Sequence, residues 1–180
     1  TRNLAHFPST YGRIKIVSVT RHGNKLKLGH LAGNRFQIKV RDAAPDAAAI
    51  APAMLERLSK RGLPNYFGAQ RFGARGDNAA VGLALVRGEF DEAVALMLGR
   101  PTDKDHGPVL RARELFDAGD LEAAAATWPT GVFSQQKRLC RALLQAKGNA
   151  SRAFRAVDPT LQKLLVSALQ SQLFNEVLAR

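Results

Sequence analysis

Two hydrophobic periods run along the chain. Gly12-Arg13-Ile14-Lys15-Ile16-Val17-Ser18-Val19-Thr20 begins as a polar/apolar alternation and ends β-branched, which is a strand pattern. Arg21-His22-Gly23-Asn24 reads as a turn, because Gly and Asn accept positive φ. Lys25-Leu26-Lys27-Leu28 resumes the alternation, and Gly29 and Gly33 bracket His30-Leu31-Ala32. The clearest period of two is Arg35-Phe36-Gln37-Ile38-Lys39-Val40-Arg41. Phe36, Ile38 and Val40 fall on one face, and Arg35, Gln37, Lys39 and Arg41 on the other. The expected arrangement is two or three antiparallel strands with a basic outer face.

The period then lengthens. Asp42 to Arg61 is Ala-rich with Met54, Leu55 and Leu58 at helical spacing. Pro52 marks either the start of a helix or a kink within it, and Gly62 is a stop signal. Leu63 to Gly73 reads as a loop dense in aromatic, amide and guanidinium groups, a composition typical of a site. From Asn78 the chain is helical. Arg87-Gly88-Glu89-Phe90-Asp91-Glu92-Ala93-Val94 resembles Ala118-Gly119-Asp120-Leu121-Glu122-Ala123-Ala124-Ala125, and Lys147-Gly148-Asn149-Ala150 is a fainter copy. These are either degenerate tetratricopeptide-like units or short antiparallel helices sharing capping chemistry. Asp158-Pro159 caps a last helix, in which Leu161, Leu164, Leu165, Ala168, Leu169, Phe174 and Leu178 form an apolar stripe.

Composition narrows the class. An apolar fraction of 46% over 180 residues supports a folded core. No apolar run approaches the ~20 residues of a membrane helix, and the start lacks the layout of a signal peptide. Thr1 is not an initiator Met, so the natural chain is expected to begin earlier. The single cysteine, Cys140, excludes an internal disulfide and Cys-based zinc sites, and points to a cytoplasmic setting. The net charge is +12, and it is uneven: residues 1–75 carry 14 basic and 3 acidic side chains, whereas residues 76–180 carry 13 and 12. A polyanion-facing surface on the first part follows, with nucleic acid ahead of an anionic membrane.

Candidate chemistry is sparse outside RNA recognition. His6, His22, His30 and His106 are scattered without ligand spacing, and no Walker-type phosphate loop occurs. Cys140 lies among cations that could lower its pKa, although an ordinary helix-face cysteine fits as well. Asp103-Lys104-Asp105-His106 is an acidic cluster after Pro101 that reads as a solvated loop rather than an acid/base pair. Asn34-Arg35-Phe36, and Asn65-Tyr66-Phe67 with Gln70-Arg71, each combine a stacking aromatic, an amide and a cation, the ingredients for holding an unstacked base. Phe36 is equally readable as a core residue, and Tyr66, Phe67 and Phe72 as a plug under the loop.

These stretches carry a resemblance. Lys25-Leu26-Lys27-Leu28-Gly29-His30-Leu31-Ala32-Gly33-Asn34-Arg35-Phe36 resembles the K-L-x-x-G-x-L-x-G-N-x-F motif of the TruD family of tRNA pseudouridine synthases. Gly62-Leu63-Pro64-Asn65-Tyr66-Phe67-Gly68-Ala69-Gln70-Arg71-Phe72-Gly73 is similar to its G-x-P-N-Y-F-G-x-Q-R-F-G. Ser167-Ala168-Leu169-Gln170-Ser171-Gln172-Leu173-Phe174-Asn175 resembles its S-A-x-Q-S-x-L-F-N helix. The Ala-rich stretch from Asn78 to Asp158 looks like the insertion of the family's longer branch, known best from archaea and eukaryotes.

The resemblance implies an α+β fold: an antiparallel or mixed sheet of the pseudouridine synthase catalytic domain with a mostly helical insertion. Residues 1–77 would be part of the sheet domain with a basic RNA-facing surface, 78–158 the insertion, and 159–180 a catalytic-domain helix. The chain would be truncated at both ends relative to the family. The implied activity is isomerisation of a uridine in tRNA, for this family pseudouridine(13), with no cofactor and no metal. The nucleophilic Asp of a G-x-K-D segment is expected upstream of Thr1, so the chain alone should be inactive. Phe36 would lie against the extruded uracil with Asn34 beside it. Asn65, Tyr66, Phe67, Gln70 and Arg71 would shape the pocket or grip phosphate and sugar, with Gln170 and Asn175 supporting them from behind. Lys25, Lys27, Arg35, Lys39 and Arg41 would supply tRNA affinity. No DNA or membrane partner is expected. The alternatives are a non-catalytic RNA-binding module on the same scaffold and a helical-repeat scaffold for protein partners.

Overall fold

The computed structural model describes residues 23, 25, 27, 29–30 and 33–180. It divides into two units, 1–55 and 56–180. The predicted strand at 12–20 and part of the segment around 24–32 lie outside the described residues.

Among the described residues there is no strand, and the expectation of an α+β fold with an antiparallel or mixed sheet is overturned: every regular element is helical. Arg35 to Arg41 carries no regular structure despite its alternation. Phe36, Ile38 and Val40 are 77%, 80% and 75% exposed, so they form no core face. The physical reason is that alternation specifies which side chains share a face, but a strand forms only when its N–H and C=O groups meet a neighbouring ladder. No described residue provides one for this segment.

Helix α1 (Ala47–Arg61) runs through Pro52, so the proline neither starts nor ends it. Its missing N–H leaves one carbonyl of the preceding turn without its helical donor. No residue of α1 is buried, so that carbonyl faces solvent at little cost. Gly62, at φ 79°, stops the helix with its N–H on the Leu58 carbonyl.

The second unit is built from short helices: α2 (Asn78–Arg87), α3 (Phe90–Leu98), α4 (Gly107–Asp117), α5 (Leu121–Thr127), α6 (Ser134–Gln145), α7 (Ala150–Phe154) and the longer α8 (Pro159–Leu178). Trp128, Phe154, Leu98, Leu139, Val81, Val157 and Cys140 are its largest fully buried side chains.

The three look-alike segments are three copies of one turn. Gly88 and Gly119 take left-handed φ of 75° and 83°. Each donates to the carbonyl three residues back, and Glu89 and Asp120 donate to the carbonyls of Ala84 and Leu115, five residues back. That is a Schellman ending followed directly by the next helix. In the fainter copy the pattern is shifted by one: Lys147, at φ 52°, takes the first position and Gly148 donates to the Leu143 carbonyl. Asp120 and Asn149 then cap the next helices through the amides of Ala123 and Arg152. The resemblance among the segments is therefore shared capping chemistry.

Helix α8 packs along α2. Gly82 allows the close approach, since a Cβ there would lie 2.2 Å from the Leu165 carbonyl oxygen. Little of the apolar stripe of α8 is fully buried, and Leu164 in its first half is exposed. Leu165 and Ala168 are inside, whereas Leu173, Phe174 and Val177 are exposed.

A buried ion pair braces α4. Arg113 Nε donates to Asp105 Oδ1 at 3.0 Å, and its Nη1 donates to the Gly99 carbonyl at 2.7 Å. The guanidinium lies 5.3 Å from the centre of the Trp128 ring. Asp103, Lys104 and His106 are exposed, as a solvated loop would have them, but Asp105 is only 6% exposed and departs from that expectation. Burial alone would raise the Asp105 pKa. The Thr102 amide and hydroxyl and the Arg113 and Arg75 guanidiniums outweigh burial and hold it below the usual carboxylate value.

Candidate nucleic-acid interface

The loop motif and the last-helix motif, about a hundred residues apart, are clasped together. On α8, Ser167, Gln170, Ser171, Phe174, Asn175 and Leu178 recur at intervals of three and four and so form one stripe. Opposite this stripe runs Leu63 to Gly68, followed by a 3-10 turn from Ala69 to Phe72. Gly73 ends the turn at φ 83°, where a Cβ would meet the Asn78 side chain at 2.8 Å.

The side-chain amide of Asn175 reads the backbone of Phe67 at both ends. Its Oδ1 accepts from the Phe67 N–H at 2.9 Å, and its Nδ2 donates to the Phe67 carbonyl at 3.0 Å. Arg71 supplies the second fastening. Its Nε donates to Ser171 Oγ at 3.1 Å and its Nη2 to Ser167 Oγ. Ser171 is buried and donates its own proton to the Ser167 carbonyl at 2.8 Å, leaving its lone pairs for Arg71. Aromatic contacts complete the clasp: the Phe67 and Phe174 rings meet edge to face at 5.6 Å, and the Arg71 guanidinium stands 5.5 Å from the Phe67 centroid. The Tyr66 hydroxyl donates to the Leu178 carbonyl at 3.4 Å. Neutral hydrogen bonds of this kind contribute about 1 kcal/mol each, and the charge-assisted ones about 1.5–3 kcal/mol.

Between loop and helix lies an open cavity of about 420 Å³, lined by Asn65, Tyr66, Phe67, Arg71, Ser167, Gln170, Ser171 and Phe174. Tyr66, Phe67 and Phe174 are each roughly half exposed, so aromatic surface and the Asn65 and Gln170 amides face solvent together. That combination can stack a planar base and meet its edge.

The structure thus brings together Asn65, Tyr66, Phe67, Arg71, Gln170 and Asn175. Gln70 lies on the 3-10 turn and lines an adjoining hollow with Gly68, Arg71 and Leu164. Lys25, Lys27, Asn34, Arg35, Phe36, Lys39 and Arg41 belong to the first unit and are exposed. Sequence reasoning missed Ser167 and Ser171 as the acceptors of Arg71. Their i, i+4 spacing with Asn175 a further turn along was the available signal.

Cys140 is buried, with its thiol 3.7 Å from the Leu121 carbonyl, and burial pushes its pKa up to about 11, so the neighbouring cations do not activate it. Among the described residues no cluster of His, Cys, Asp and Glu could hold a metal ion. No described helix is long and apolar enough to cross a membrane.

Comparison with known proteins gives one consistent answer. The family described as tRNA pseudouridine synthase D (TruD) matches residues 4–180. The tRNA pseudouridine synthase D of Geotalea daltonii is 43% identical over 164 residues, covering 91% of this chain and 41% of that protein. That of Geobacter sulfurreducens is 41% identical over 165 residues, covering 92% and 40%. The crystal structure of a protein described as tRNA pseudouridine synthase D (TruD) from Methanosarcina mazei superposes with a TM-score of 0.62 at 26% identity, covering 72% of this chain and 30% of that one. The chain spans about two fifths of the length of the curated relatives it matches. With three motifs in order, two of them joined at a base-sized cavity, and a match across nearly its whole length, the chain belongs to the TruD family of tRNA pseudouridine synthases.

Proposed function

We propose that this chain is a substrate-holding part of a tRNA pseudouridine synthase acting in the cytoplasm. The observation that carries the reading is the clasp of Phe67 and Arg71 onto Asn175, Ser171 and Ser167. It holds the aromatic loop rigidly while leaving Tyr66, Asn65 and Gln170 open to a ligand. Rigid positioning of this kind is what holding an extruded nucleotide requires.

In the proposed reaction a uridine is extruded from tRNA. An Asp nucleophile, expected upstream of Thr1, assists cleavage of the bond between ribose C1′ and uracil N1. The uracil turns, C1′ bonds to C5, the C5 proton leaves to solvent, and N1 regains a proton. No net oxidation or group transfer occurs. Phe36 stacks on the turning uracil and Asn34 lies in the same motif. Lys25, Lys27, Arg35 and Lys39 neutralise phosphates, so affinity should fall steeply with salt. The Arg71 Nη1, which donates to no described residue, is a further donor for phosphate or sugar.

The test is tritium release from 5-tritiated uridine in a tRNA transcript. The product of the complete coding region should release tritium, and the 180-residue chain alone should not. Turnover by the chain alone would refute the placement of the nucleophile. In the complete enzyme, Phe36→Ala should lower kcat by at least about tenfold with little change in tRNA affinity. The reverse pattern would remove Phe36 from the uracil.

A further inference from the structure

The helical block carries its own charge asymmetry. From Ala123 to Val157 there is no acidic side chain, while Lys137, Arg138, Arg141, Lys147, Arg152 and Arg155 are all basic. Carboxylates crowd the preceding helices instead: Asp77 to Glu122 contains ten of them. Near-neutral overall charge in this half of the chain therefore hides two consecutive stretches of opposite sign.

Pairing leans the same way. Arg75, Arg100, Arg111 and Arg113 each face a carboxylate, whereas Arg87 and Lys104 stand as isolated exposed cations among them. Among the described residues Arg138, Arg141, Lys147, Arg152 and Arg155 form no ion pair, and all five are exposed. Lys137 is spent on the Trp128 carbonyl at 2.7 Å. The nearest acid in sequence is Asp158. Its carboxylate accepts from the Thr160 amide at 2.6 Å as the cap of α8, and the field of Arg138 adds only a smaller push to its lowered pKa.

The five lie on two packed helices and the turn that joins them. Arg138 and Arg141 are one turn apart on α6, on the flank of the residues that bury Leu139, Cys140 and Leu143. Arg152 and Arg155 are one turn apart at α7, whose Ala150, Ala153 and Phe154 face inward. α6 packs on α7, and Lys147 sits in the tight turn between them. Exposed Gln145, Asn149 and Ser151 punctuate the patch. An interspersed surface would serve solubility. Five unpaired like charges on one helical hairpin repel one another, and that repulsion is relieved by an extended polyanion. Four of the five are Arg, whose planar fork suits phosphate.

We infer that the α6–α7 hairpin is a second RNA-binding face, which grips tRNA backbone phosphates away from the uridine pocket. The inference rests on the tRNA reading above and extends it to the helical block.

The test uses the 180-residue chain and a fluorescently labelled tRNA transcript, with Kd measured by anisotropy across a salt series. The variants are Arg138→Gln with Arg141→Gln, Arg152→Gln with Arg155→Gln, and all four together. Arg87→Gln with Arg111→Gln is the control on the other helices. Each phosphate contact contributes about 0.7–0.9 to the slope of log K against log salt. The fourfold variant should lose about 3 from the slope and bind at least about tenfold more weakly at 0.1 M salt. Each double variant should lose about half of that slope, and the control nothing. If the fourfold variant loses helical circular dichroism, the two double variants carry the test alone. A normal slope in the variants, with the unmodified chain still binding tRNA, overturns this inference and leaves the pocket reading standing. An unmodified chain that ignores tRNA overturns both. Loss of poly-glutamate binding in the variants, with tRNA binding intact, overturns it in favour of an acidic protein partner.

Discussion

Replacing Gly82 by Ala isolates the packing on which α8 depends. A methyl at this position would lie 2.2 Å from the Leu165 carbonyl oxygen, 2.8 Å from its carbon and 3.3 Å from the Val166 Cα, all backbone atoms. No side-chain rotation relieves such contacts. Ordinary contact begins at 3.4 Å, so α2 and α8 must separate by about 1 Å. A gap of that size forfeits a quarter to a half of the dispersion attraction across the interface, where Val81, Ala84, Leu165 and Ala168 are buried. Overpacking of this kind costs about 1–3 kcal/mol. Helix propensity acts in the opposite sense, since Ala exceeds Gly by about 1 kcal/mol in a helix interior. The net expectation is a loss centred on about 1 kcal/mol and reaching about 2 kcal/mol, read as a lower denaturant midpoint and a Tm reduced by several degrees. Ala80→Gly, on the exposed side of the same helix, is the companion. It should lose about 1 kcal/mol through propensity alone. A Gly82→Ala chain as stable as the parent, or more stable, would show that the helices do not need the close approach, and the argument would fail.

Other expectations follow from the clasp and the core. Asp105→Asn should cost about 3–5 kcal/mol by leaving Arg113 buried without its counter-charge, measured by urea unfolding. Because the Asp105 pKa is held low in the fold, its contribution is present above the ordinary carboxylate range near pH 4 and is lost as pH falls through the lowered value. The parent should therefore weaken on acidification more steeply than Asp105→Asn, and equal slopes would contradict the pairing. Asn175→Ala should cost about 1–3 kcal/mol and speed hydrogen exchange at the Phe67 amide at least about tenfold, while amides in α4 keep their protection. Cys140 should react with iodoacetamide at pH 8 at least about a hundredfold more slowly in the native chain than after unfolding, given a pKa of about 11. Equal rates would mean that the thiol is not enclosed.

The helical part was readable because its signals are local. Gly88, Gly119 and Gly148 announce helix ends, Asp120, Asn149 and Asp158 announce starts, and both kinds of signal need only neighbouring amides and carbonyls. Gly62 likewise stopped its helix. The failed expectation, the strand at Arg35 to Arg41, required a partner that side-chain alternation cannot supply. Of the two readings of Pro52, the helix start fell for a related reason: a proline penalty is bearable where the affected carbonyl is wet, and wetness is a tertiary property. Asp105 looked solvated because its partners, Arg113 and Arg75, are distant in sequence. In the candidate site the loop residues stood out by composition, whereas Ser167 and Ser171 were hidden within an apparently apolar helix. Serine shows its purpose only when the arginine it receives is in view.

The fastening of Phe67 and Arg71 to α8 also has a topological meaning. The polypeptide leaves this spot at Gly73 and comes back to it at Ser167, so everything from Ala74 to Val166 is a detour that starts and finishes at one place. A detour with stitched ends can be lengthened, pared down or exchanged over evolutionary time without disturbing the two strips it separates, provided that Gly82 keeps its seat against Leu165.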